Sequence, residues 1–387
     1  MRIAFIGQKG IPTRAGGVEK HVEEMAVRMA KAGHDVFVYV RNNYTDQKLS
    51  EYRGVNLIHL PSIGTKNLDA ISHTFLASVH ALFQKYDVVH YQAIGPSSLA
   101  WITKWFNRRA VLVSTFHCQD YFHQKWGWFA QKYLQLGEYV SCMLPERTIV
   151  VSKSLVKYVK DKYQKDVEFI PNGAAVHFND GNKVLERWGL RDKKYILNQG
   201  RLIRHKGVQY LIEAFKKLED TAKVPNNFKL VIVGDGFHTD EYVQYLHKIS
   251  EGRKSIVFTG IQNNGSMEQL FSHAYAFVQP SESEGLSISL LEAMGYGLCP
   301  LVSNIPENLE ATKGIGFSFR SKDADDLGEK LAYILNQPLE VEEAGKNAKT
   351  MVEREYSWDS IVEKTLNLYE ELMLKKNAKL LLGKFKK

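Results

Sequence analysis

The chain has 387 residues, 44% hydrophobic and 24% charged, enough apolar content for the cores of two domains and too much for a disordered chain. No uncharged apolar run reaches the ~18 residues of a membrane-crossing helix, and the opening MRIAFIGQKG turns polar too early for a secretory signal. The net charge of +8 suggests an anionic partner (nucleotide, lipid surface or nucleic acid), while Cys118, Cys142 and Cys299 lack metal-site spacing and predict reduced thiols in the cytoplasm.

Taken in chain order, a strand is expected over 2–7 and an amphipathic helix over 17–31. Val18, Val22, Met25, Ala26 and Met29 share one face of that helix. Strands follow over 35–41, 55–60, 87–91, 110–116, 147–151 and 167–170, with helices between them, as over 68–85 and 131–143. Pro171-Asn172-Gly173 stops the alternation, and 174–183 reads as a linker. A second alternation runs through a strand at 195–199, a helix at 208–218, a strand at 229–233 and a helix at 240–250. Strands at 256–259 and 276–279, a helix at 287–294 and a strand at 299–303 complete it. Helices are expected over 325–335, 341–356 and 359–374. Strands alternating with helices predict an α/β chain of two Rossmann-like doubly wound domains facing across a cleft, with ligands at the carboxyl ends of the strands. Beyond Glu371 the tail has no acid and six lysines, interleaved with Leu380, Leu381, Leu382 and Phe385. It reads equally as a weak anionic-membrane anchor and as a frayed end.

Four segments carry chemistry. Residues 281–295 follow a strand and Pro280; Ser287 suits the N-cap of the next helix, with Glu284 just before it and Glu292 inside it. The amides of Gly285, Leu286 and Ser287 at that helix start suit phosphate, and a carboxylate there can accept from sugar hydroxyls. A capped helix behind an acidic loop is the plainer alternative. Residues 198–207 end a strand and open a helix, so Arg201 and Lys206 stand at the strand's carboxyl edge, two cations suited to a diphosphate or simply solvated. The loop 7–17 is neither a dinucleotide fingerprint nor a P-loop, but Gly16-Gly17 lets backbone approach a ligand at a helix start. His117, in the segment 114–120, ends another strand and could meet a sugar hydroxyl or a developing charge; a structural histidine is the commoner case.

Together these segments resemble the GT-B glycosyltransferases of the large retaining family 4, from Arg2 to about Leu372. The family's E-x7-E element is matched by Glu284 and Glu292, and its glycine–arginine–leucine…lysine–glycine element by Gly200, Arg201, Leu202, Lys206 and Gly207. Its proline–asparagine–glycine turn is matched by residues 171–173, and the opening Gly-Ile-Pro…Gly-Gly-Val-Glu is similar to the rhamnosyltransferase-like subgroup. Leu286-Ser287 stand where many relatives have phenylalanine-glycine.

The resemblance implies a donor diphosphate bound by Arg201 and Lys206, ribose hydroxyls held by Glu292, and the transferred sugar contacted by Glu284. Gly285, Leu286 and Ser287 would donate amides, Gly200 would stand in the phosphate loop, and Gly260-Ile261 would read the base. Gly16 and Gly17 would approach from the first domain, and His117 would line the sugar. The expected domains are 1–178 for the acceptor and 179–357 for the donor, with a helix over about 358–387 packing back onto the first. The expected activity is retaining, metal-independent transfer without a resident cofactor, from a nucleotide-sugar to a glycan or polyprenyl-diphosphate-linked acceptor in cell-surface polysaccharide assembly. UDP-sugars are the first expectation, then dTDP-rhamnose and GDP-mannose. An aromatic and basic stretch suits such an acceptor and lipid headgroups, with ordinary core packing the plainer alternative for about half of its rings: Trp101, Trp105, Phe106, Arg108, Arg109, Tyr121, Phe122, Lys125, Trp126, Trp128 and Phe129. The alternatives are a sugar-nucleotide epimerase of the same fold and a non-catalytic anion-binding protein. Nucleic acid is disfavoured as a partner, because Glu284 and Glu292 would repel its phosphates.

Overall fold

A computed structural model describes residues 1–14, 16–65, 68–119, 121, 127–236 and 239–384, with side chains described to 379. The chain divides into two compact units, Met1–Asn172 with Trp358–Lys387, and Gly173–Ser357.

The first unit runs β1 (Arg2–Ile6), α1 (Gly17–Lys31), β2 (Asp35–Arg41), β3 (Glu51–Tyr52), β4 (Val55–Leu60), α2 (Asp69–Leu82) and β5 (Val88–Gln92). It continues with α3 (Ile94–Ser97), α4 (Ala100–Phe106), β6 (Val111–Phe116), α5 (Trp128–Met143), β7 (Arg147–Val150), α6 (Lys153–Tyr163) and β8 (Glu168–Phe169). The sheet order is β3-β4-β2-β1-β5-β6-β7-β8, parallel except for the short β3 against β4. Ile3, Ala4, Phe5 and Ile6 of β1 are fully buried, as a central parallel strand covered on both faces requires. On one face Ala77 and Ala81 of α2, Ala100 of α4 and Val140 of α5 share a core with Ala4, Ile6, Val89, Tyr91 and Leu112. Three helices therefore form one layer. Gly95 and Pro96 interrupt the helical period, so the gap between β5 and β6, where a helix is expected, holds two short ones, α3 and α4.

The second unit runs α7 (Lys183–Arg187), β9 (Tyr195–Gln199), α8 (Val208–Asp220), β10 (Lys229–Val233), α9 (Asp240–Ile249), β11 (Ile256–Gly260) and α10 (Asn264–His273). Then come β12 (Ala276–Gln279), α11 (Ile288–Gly295), β13 (Cys299–Ser303), α12 (Pro306–Thr312), β14 (Phe317–Phe319), α13 (Ala324–Asn336) and α14 (Pro338–Glu355). The sheet order is β11-β10-β9-β12-β13-β14, with every pairing parallel. Val208, Leu211, Ile212 and Phe215 place the apolar stripe of α8 in the core beneath it, at the spacing of one helical face.

The last helix, α15 (Trp358–Lys384), belongs to the first unit, where Trp358 and Tyr369 are buried. The division falls after Asn172 rather than after 178. The reason is local: Ala174 donates its N–H to Tyr356 O at 2.9 Å and bridges Ser357, and His177 N–H donates to Tyr296 Oη at 3.2 Å. Among the described residues no helix is long and apolar enough to cross a membrane.

Candidate active site

In the second unit the chain leaves β9 toward β10 and β11, whereas β12 leads the other way to β13 and β14. The loops after β9 and β12 therefore diverge at the carboxyl ends of neighbouring strands, the place where doubly wound sheets open a ligand crevice. The first loop carries Gly200, Arg201 and a 3-10 turn, Arg204–Lys206; the second carries Ser281 to Glu284.

These loops meet in an ion pair. Lys206 Nζ lies 2.6 Å from Glu284 Oε1 and 2.8 Å from Oε2, with the two side chains 20% and 8% exposed. Oε1 also accepts from Gln279 Nε2 at 2.7 Å and from Ser281 Oγ at 2.6 Å. An ammonium has three N–H groups; two face Glu284, which leaves one for a ligand. Gly207, just after Lys206, has φ +71°, and a Cβ there would lie 1.9 Å from Pro280 O. Only glycine allows that approach of one loop to the other. His205 O accepts from Glu282 N–H at 2.7 Å, and Ser303 Oγ donates to Ser281 O.

Ser287 caps α11 as expected, accepting from Leu290 N–H at 3.3 Å, and its hydroxyl donates to Gln279 Oε1 at 3.2 Å. Gln279 thus ties the helix cap to the Glu284 carboxylate. Gly285 and Leu286 lie buried in the loop before the helix, and Glu292 is half-buried within it. Arg201 is half-buried and makes no ion pair among the described residues. Gly200 packs against Gly234, where a Cβ would stand 1.9 Å from Gly200 O. Gly260, with φ +68°, ends β11, two strands from β9, and Ile261 beyond it is exposed. Sequence reasoning passed over Gln279, Ser281 and Glu307. The one signal for Gln279 was a polar residue closing an apolar strand. Glu307, in the first turn of α12, has its pKa raised by burial, with further help from the Glu284 and Glu310 charges.

Gly16, Gly17 and His117 stand in the first unit. Gly16 has φ +110° before α1, where a Cβ would lie 2.1 Å from Glu19 Oε2, and Gly17 opens the helix with space around its Cα. His117 follows β6, and its Nε2 lies 2.9 Å from Gln92 Oε1 at the end of β5. The His117 ring is buried, and it contacts His21 edge-on, at 4.9 Å between centroids. Burial, reinforced by His21 and His90, pushes its pKa well below the ordinary imidazole value. It is therefore neutral at pH 7, a hydrogen-bonding group rather than a charge. His21 Nδ1 lies 2.9 Å from Asn172 Oδ1, and burial lowers its pKa to about 4 against that bond. His90, between Tyr369 Oη at 2.6 Å and Thr115 Oγ1 at 2.7 Å, is depressed by burial as well. Phe122, Lys125 and Trp126, and the tail side chains from Leu380 onward, lie outside the described residues.

Comparison with known proteins agrees with this architecture. Residues 183–351 match the family model "Glycosyl transferases group 1", and residues 15–177 match "Glycosyltransferase Family 4". The chain is 27% identical to an uncharacterized glycosyltransferase of Methanocaldococcus jannaschii, over 96% of this chain and 99% of that protein. It is 23% identical to the alpha-monoglucosyldiacylglycerol synthase of Streptococcus pneumoniae, over 82% of this chain and 74% of that protein. Sucrose-phosphate synthase from Thermosynechococcus elongatus superposes with a TM-score of 0.82 at 19% identity, covering 97% of this chain and 99% of that one. Anabaena HepE, in complex with UDP-glucose, superposes at 0.76 with 18% identity, covering 95% and 99%. With both halves matched in sequence and the whole chain in fold, this protein belongs to the group 1, family 4 type of GT-B glycosyltransferases.

Proposed function

We propose that this glycosyltransferase moves a sugar, with retention of anomeric configuration, from a nucleotide-diphosphate donor to a glycan or lipid-linked acceptor in cell-surface polysaccharide assembly. The observation that carries the reading is the contact of Lys206 with Glu284 at the switch point between β9 and β12. A cation there opposes the charge that grows on the leaving diphosphate, and the nearby carboxylate accepts from sugar hydroxyls. Arg201 and the amides at 285–287 serve the same diphosphate, Glu292 the ribose and Gly260-Ile261 the base, and Gly16, Gly17 and His117 are further candidates for contacts with donor or acceptor. These positive groups take the part a divalent metal plays elsewhere. Departure of the diphosphate on the face that the acceptor enters lets it accept the acceptor's proton, which gives retention. A UDP-sugar is favoured by HepE's complex with UDP-glucose, and a lipid acceptor by the named glycolipid synthase.

A thermal-shift panel of UDP, dTDP and GDP tests the donor. One base should raise Tm by mass action, and no response to any of them overturns the assignment. Proton NMR of the product made from that donor reads the configuration; an inverted anomeric carbon excludes retention.

A further inference from the structure

The two oxygens of Glu284 are held unequally. A carboxylate offers about four lone-pair sites, two on each oxygen. Oε1 accepts from Gln279 Nε2 at 2.7 Å, Ser281 Oγ at 2.6 Å and Lys206 Nζ at 2.6 Å, so the protein itself fills that oxygen. Among the described residues Oε2 takes Lys206 Nζ alone, at 2.8 Å. One lone-pair site on Oε2 is therefore left over, next to the ammonium N–H that does not face the carboxylate. A hydroxyl, which donates and accepts at once, suits that pair of groups.

The inequality originates in Gln279. This residue ends β12, in register with Val302 of β13, and its side chain is buried. A side chain on an inner strand is placed more firmly than one on a loop. A carboxylate in an ion pair only accepts, so the amide atom facing Glu284 has to be Nε2, and the amide oxygen has to point the other way. There it meets the Ser287 hydroxyl at 3.2 Å. Ser287 Oγ accepts from Leu290 N–H at 3.3 Å and pairs with Ser289 Oγ at 3.0 Å. Capping α11 uses Ser287 only as an acceptor, and its own proton goes to Gln279. The amide is thus gripped at both ends, by the helix cap on one side and by Glu284 on the other. Ser281 is fixed as well. Its carbonyl accepts from Ser303 Oγ, which in turn accepts from Asn308 Nδ2 at 2.9 Å.

We infer that Gln279, with its amide oriented by Ser287, is a positioning residue: it pins Oε1 of Glu284 and so presents Oε2, together with Lys206, to one hydroxyl of the transferred sugar. This rests on the proposed contact of Glu284 with that sugar.

The test starts with the full chain and four donors: UDP-glucose, UDP-galactose, dTDP-rhamnose and GDP-mannose. Release of nucleoside diphosphate, with water in place of the acceptor, selects the donor used. On that donor Gln279→Leu should lower kcat about tenfold or more, the loss of one hydrogen bond to a charged group. Ser287→Gly keeps the backbone amide and a tolerated cap residue, and should lower kcat severalfold. Affinity for the matching nucleoside diphosphate, UDP, dTDP or GDP, should stay unchanged in both variants, whereas a general lesion of the loop would lower it too. Gln279→Glu should be slow in mildly alkaline solution, where a second carboxylate joins Glu284 and Glu307 around Lys206. As pH falls, one proton shared by residues 279 and 284 restores the lost hydrogen bond, and kcat should rise where that of the parent does not.

Parental kcat in Gln279→Leu and Ser287→Gly, with a cooperative melt certifying each fold, overturns the inference. So does a fall in nucleoside-diphosphate affinity that matches the fall in kcat. Should Gln279→Leu not fold, Ser287→Gly and the pH profile of Gln279→Glu decide. A parent that turns over none of the four donors sinks the sugar contact of Glu284 and this inference with it; parental kcat in the variants sinks the positioning role alone.

Discussion

Lys206 Nζ lies 2.6 Å from Glu284 Oε1, although 78 residues separate them in the chain. The pair spans the two loops at the switch point of the second sheet, and Glu284 is the more buried partner. Lys206→Ala should therefore do two things. It should lower kcat about 10²–10³-fold, the scale of one preorganised charge-stabilising donor. It should also lower Tm, because Glu284 keeps Gln279 and Ser281 but loses its counter-charge. Release of nucleotide diphosphate from the donor gives the rate, and a thermal melt gives the stability. A near-normal rate in the purified variant would remove Lys206 from the mechanism.

Glu307 has a folded pKa above its unfolded value, chiefly because its carboxyl is partly desolvated and also because Glu284 and Glu310 repel its charge. Such a group contributes its stability below the unfolded carboxyl pKa and loses it as pH rises through the folded value. Above the unfolded carboxyl pKa the cost of charging Glu307 thus weighs on the unit, and Glu307→Gln should raise the denaturant midpoint at pH 7. The gain should shrink as pH falls through the carboxylate range. A variant less stable than the parent at pH 7 would show that Glu307 is held by favourable contacts instead.

Four buried histidines tie acid stability to the first unit. Burial lowers His21 and His73 to about 4 and holds His90 and His117 well below the ordinary value. The unfolded chain binds the extra protons first, so this stability is present above about pH 6.5 and is lost as pH falls toward about 4. Each histidine can contribute a slope of up to about 1.4 kcal/mol per pH unit in that window. Chemical denaturation between pH 7 and 5 should show a steep decline, and His21→Gln should flatten it. A stability that stays level across this range would mean that these rings gain protons in the folded state without penalty.

The expected fold was legible because parallel strands buried on both faces are written as apolar runs, as in 195–199 and 299–303, separated by helical periods such as Val208 to Phe215. Ser287 could be read as a cap from its place before an apolar helix. The short α3 and α4 were harder to read: Gly95 and Pro96 erase the periodicity, and tertiary packing supplies what local propensity withholds. The aromatics there looked like acceptor contacts in sequence, and exposure distinguishes Trp105 and Phe106 from the buried Tyr121.

For the site itself, the residue types and their order along the chain singled out Arg201, Lys206 and Glu284 as candidates, because charges at strand ends stand at one edge of a parallel sheet; Glu292, inside α11, was singled out by the family's E-x7-E spacing. Which charges touch is another matter. The strand order puts β12 beside β9, and only that neighbourhood brings Lys206 onto Glu284, Gln279 onto Ser287 and Gly207 against Pro280. The same holds for His117, whose burial against His21 and Gln92 depends on α1 and β5 packing beside its strand. Local sequence sets which groups are available at each strand end; contacts across loops, and the desolvation that shifts a pKa, arise when distant segments are packed together.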